Sequence, residues 1–118
     1  MPVEIRRIVF SIPEFQQVLA NHASQDTAVK CTALSYRLVS QTPIKIEMVF
    51  QGQDGHIYKY SIDDDFATAA MVEYCLLAQI PMSKDARKAA HFLSDSKAAF
   101  DMVLRETTMV AAIHPGRD

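Results

Sequence analysis

The chain predicts a two-layer α+β domain: a mainly antiparallel sheet with helices packed on one face. Three observations lead there. Ile44, Ile46, Met48 and Phe50 alternate with Lys45, Glu47, Val49 and Gln51, the period of a half-buried strand. Turn-forming residues bracket this strand, Gln41-Thr42-Pro43 before it and Gly52-Gln53-Asp54-Gly55 after it, so three strands join as a meander. Two segments of helical character, each with a start signal, flank the meander. The expected order is β-α-β-β-β-α-α-β, and runs of strands separated by helices segregate into two layers.

Size and composition agree with one globular unit. The 118 residues are 49% hydrophobic and 22% charged, with a formal net charge of -2. A chain of this length buries roughly two-thirds of the surface that its unfolded form exposes. The expectation is a single domain over 1–113 and a flexible tail over 114–118, His114-Pro115-Gly116-Arg117-Asp118. The first residues, MPVEIRRIVF, lack the long apolar core of a signal peptide, and the apolar runs are too short to span a bilayer. These features predict a cytoplasmic protein without a membrane partner. Cys31 and Cys75 are then expected to be reduced and to pack as small apolar side chains.

The elements follow in order. Glu4 to Phe10 reads as a strand. Ser11-Ile12-Pro13-Glu14 forms a capping box for the first helix, with Pro13 in the first turn where no amide is needed. Ile12, Phe15, Val18, Leu19 and Ala23 make its apolar stripe, and Asn21 to Gln25 should end it. Val29 to Val39 is the next strand, with Leu34, Tyr36 and Leu38 on one face. The third strand of the meander carries Tyr58, Tyr60 and Ile62 inward.

Asp63-Asp64-Asp65 opens the second helix, where one carboxylate caps free amides and all suit the positive helix end. From Phe66 to Ile80 that helix carries only Thr68, Glu73 and Gln79 as polar residues, whereas a surface helix normally keeps a polar face. Ala67, Ala70, Met71, Tyr74, Leu77 and Ala78 form a stripe that can cover the sheet. Ala69, Val72 and Leu76 face away from it, which makes them candidates for an interface. Ile80-Pro81 stops the helix. Ser83 is read as the cap of a further helix from Lys84 to about Leu93. Ser94-Asp95-Ser96 turns the chain, and the segment 98–110 fits strand or helix, with a final strand preferred.

Chemistry-bearing motifs are sparse. Lys84, Arg87, Lys88 and His91 would align on the expected helix 84–93 and offer anion or nucleic-acid contacts. Base-reading Asn and Gln are absent from it, and the overall charge is acidic. The aspartate triplet lacks the spread ligands and sharp-bend glycine of a calcium loop. His22, His56, His91 and His114 show no HxxxH, HxH or CxxC companion spacing, so no metal or cofactor is expected. Cys75 sits in apolar surroundings that raise a thiol pKa. Glu73 should mark a narrow solvent strip or pair with a base such as Arg87.

A helix carrying Tyr74-Cys75 that runs into Ile80-Pro81 and a basic segment resembles small uncharacterised bacterial proteins of strand–helix–meander–helix order. Met82 and Ser83 stand where that resemblance leads one to expect Leu-Pro. It implies an α+β fold and no activity or site residue. The expected function is a non-enzymatic interaction or regulatory module, self-associating as a homo-oligomer or binding a protein partner. Nucleic-acid binding through the basic segment is the alternative, and a small enzyme with an unidentified site the third.

Overall fold

The computed structural model describes residues 3–83, 86–94 and 96–105. Its order is β1 (Val3–Ser11), α1 (Ile12–Thr27), β2 (Cys31–Gln41), β3 (Ile44–Gly52), β4 (Ile57–Asp63), α2 (Asp64–Leu77), β5 (Arg87–Ser94) and β6 (Lys97–Arg105). The α+β class holds. The strands form two three-stranded antiparallel sheets, ordered β1-β6-β5 and β2-β3-β4. The final strand is β6, which lies central in its sheet.

The seventh element is a correction: Arg87–Ser94 is a strand, not a helix. Ala86, Ala89 and Ala90 favour a helix locally, but β6 needs a partner on its second edge, and β5 supplies it from Arg87↔Val103 to Ser94↔Lys97. Tertiary pairing overrides a weak local preference. Ser94 Oγ accepts from the Ser96 amide at 3.2 Å, consistent with the turn read there.

Helix α1 starts as its sequence demands. Ser11 Oγ accepts from the Glu14 amide at 3.3 Å, and Glu14 Oε1 accepts from the Ser11 amide at 2.8 Å. These bonds hold the Glu14 carboxyl below its usual range. The helix runs to Thr27, past the expected end. It stops where Ala28 adopts φ 61°, a left-handed position that glycine fills more readily.

Phe15, Leu19 and Ala23 of α1 and Ala67, Ala70, Met71 and Cys75 of α2 are buried. They meet the inner faces of both sheets: Phe10, Phe100 and Met102 from one, Ile46, Met48, Phe50 and Ile62 from the other. Phe15 lies edge-on to Phe92 with ring centroids 5.8 Å apart. The inward set of β3 matches its alternation residue for residue. In β2 the match fails at Leu34, which is 54% exposed. Register shifts occur between Ala33 and Ser35 and between Leu38 and Ser40. Leu34 and Val39 are thus extra residues in β-bulges, and Ala33 opposes Phe50 instead.

Replacing Ala28 with glycine should stabilise the chain by about 0.5–1 kcal/mol, because it relieves the left-handed Cβ clash. Urea unfolding followed by far-UV circular dichroism checks this; an unchanged or lower midpoint contradicts it.

Candidate interaction surface

Helix α2 begins where Asp63 Oδ1 accepts from the Phe66 amide at 2.9 Å. Its buried face repeats at 67, 71 and 75 with Ala70 beside it, the i, i+4, i+8 spacing of one helical side. Cys75 fills a core position, and burial pushes its thiol up. Tyr74, Leu77 and Ala78, expected to cover the sheet, are exposed instead. The helix ends at Leu77, Gln79 takes φ 58°, and residues 76–79 all stand outside the core. Tyr74 still touches Phe10 edge-on, at 5.2 Å between centroids.

The outward side of α2 is apolar. Ala69 is exposed, Val72 is half-buried against the core, and Leu76 is 66% exposed; neighbouring Leu77 is 70% exposed. Asp65 lies on the same line, one turn before Ala69. The positions 65, 69, 72 and 76 alternate steps of four and three, the spacing of a helix–helix seam.

A polar seam fixes which side of α2 faces out. His22 Nδ1 lies 3.3 Å from Glu73 Oε1 across the α1–α2 interface, and its ring stacks edge-on against Phe66 at 4.8 Å. Glu73 therefore pairs with His22 rather than Arg87. Tyr60 of β4 donates to Asp26 Oδ2 of α1 at 2.6 Å and touches Phe66. Burial and the Asp26 carboxylate push the Tyr60 hydroxyl up. With the α1 side and the core side both occupied, the Ala69–Leu76 line faces out, next to the exposed last turn that carries Tyr74 and Leu77.

The basic segment is placed differently from its expectation. Lys84 lies outside the described residues. Arg87 and His91 share the outer face of β5, whereas Lys88 sits on the inner face with Ala90 and Phe92. Lys88 Nζ donates to the carbonyls of Ser83 at 2.9 Å and Ala86 at 3.1 Å. His91 Nε2 lies 2.8 Å from Asp101 Oδ2. The three described residues thus do not form one basic face.

Asp101 anchors a cluster that sequence reading did not find. Arg7 grips it with two bonds, Nε to Oδ1 at 2.7 Å and Nη2 to Oδ2 at 2.9 Å. The Arg7 bond first, then the one from His91, holds the Asp101 carboxyl below its usual range. Arg7, Asp101 and Ala89 line up across the register of β1, β6 and β5, so only the strand pairing reveals the group.

Among the described residues, no three His, Cys, Asp or Glu side chains are arranged to hold a metal ion. An open cleft of about 280 Å³ is lined by Glu4, Arg6, Pro81, Met82, Ser83, Ala86 and Met102. No helix among the described residues is long and apolar enough to cross a membrane. No family model, curated protein or solved structure matches the chain.

Two outcomes follow from this geometry. Asp101 is depressed in the folded state, so its stabilisation is present above the unfolded carboxylate value and is lost as pH falls through the folded one. Asp101→Asn should therefore lower stability at pH 7 and flatten the loss of stability below about pH 4; parallel curves from thermal unfolding at stepped pH would contradict it. Tyr36 Oη is buried with no hydrogen-bond partner, and such a hydroxyl carries its desolvation cost uncompensated. Tyr36→Phe should be neutral or stabilising by up to about 1 kcal/mol, and a clear drop in the urea midpoint would reveal a partner.

Proposed function

We propose that this chain is a non-enzymatic protein-interaction module that self-associates through the outward line of α2. The observation that carries the reading is the exposure of Leu76 between a buried helix face and a polar seam. A large aliphatic side chain at 66% exposure, continuous with Val72 and Ala69 and followed by Leu77, makes an apolar patch on the outward side of α2. Such patches mark protein interfaces, and an isologous twofold dimer is the commonest assembly.

One helix stripe covers less than the ~800 Å² per partner of a standard stable interface. The association is accordingly weak, and it is measured at high micromolar concentration. Wild-type chain should show a dimer mass by light scattering there. Leu76→Asp should return it to a monomer while leaving its circular dichroism and unfolding midpoint close to wild type. A monomeric wild type at that concentration refutes the proposal, as does a variant that stays dimeric.

A further inference from the structure

We infer that the second copy packs its α2 antiparallel to the first, with Leu76 of each copy seated over Ala69 of the other. This rests on the self-association proposed above and adds its orientation.

Three features of α2 select that arrangement. The first is size. Ala69 and Leu76 lie seven residues apart on the exposed line, two turns or about 10 Å along the axis. A twofold axis beside Val72 brings 69 of one helix level with 76 of the other. The small residue then makes the hole that the large one fills, twice, by symmetry. Parallel helices would instead stack Leu76 on Leu76 and leave a gap between two alanines.

The second is charge. Asp63, Asp64 and Asp65 crowd the start of α2. Parallel pairing sets six carboxylates side by side. Antiparallel pairing separates the two triplets by the helix length, about 21 Å for fourteen residues and well beyond the ~8 Å screening length at physiological salt. The triplet of one copy then meets the end of the other, where residues 74–83 carry no charged side chain. The third is the helix dipole: antiparallel α2 helices set their dipoles in opposition, whereas parallel ones align them.

Site-directed disulfides in the full chain test the orientation, since Cys31 and Cys75 are both buried and poorly placed to interfere. A disulfide needs Cα atoms within roughly 7 Å. Under mild oxidation with glutathione disulfide, Val72→Cys should cross-link to itself, because it lies beside the axis. Ala69→Cys and Leu76→Cys should cross-link weakly when each is alone, and severalfold more when the two variants are mixed. Self-cross-linking of Ala69→Cys that mixing does not increase would mean parallel helices, overturning the orientation while leaving self-association intact. No cross-link from Val72→Cys, with a monomer mass for the wild type, would sink both.

Discussion

The fold depends on β6 being gripped from both sides. Its partner on one edge is β1, separated from it by most of the chain; its partner on the other is β5, reached through a tight hairpin. That double pairing sets Phe10, Phe100 and Met102 on one inner face, where they meet Phe15 and the rest of the helix layer. It also stacks Arg7 and Asp101 on the opposite face. A single long-range strand pairing thus organises both the apolar and the ionic side of this sheet. Without β6 in place, α1 and α2 would lose one of the two surfaces they cover.

Local signals in the sequence carried much of the architecture. The Ser11–Glu14 box, the Asp63 cap and the alternation of β3 each depend on residues close in the chain, and each appears in the structure as its chemistry dictates. What was not legible depends on contacts between distant residues. The alanines of 86–90 speak for a helix until β6 recruits them. Leu34 looks inward by parity, and only the bulge, created by pairing with β3, turns it out. Arg7, His91 and Asp101 belong to three separate segments and meet only in register.

Helix α2 was legible in part. Its low polarity suggests cover nearly all round, yet within the chain only the core side and the α1 side are covered, and Ala69 and Leu76 face outward. Its apolar stripe does not stay buried towards the C-terminal end, because the helix stops at Leu77 and its last turn leaves the core. Glu73, the one acid inside this apolar rod, is tied to His22, so the single polar residue facing α1 is part of the helix–helix contact rather than a window to water.

Strand β1 has a different consequence. Among the described residues it pairs on one side only, and its other margin is an unfinished ladder bordered by Ile5, Ile8 and Val9. Such a margin invites sheet extension and fibre growth. Arg7 is committed to Asp101, and Arg6 lies exposed 4.0 Å from Glu4, so charged side chains interrupt that run. Charged groups set among aliphatic ones work as gatekeepers: burying them against the next copy's strand carries a desolvation cost, which disfavours open-ended polymers.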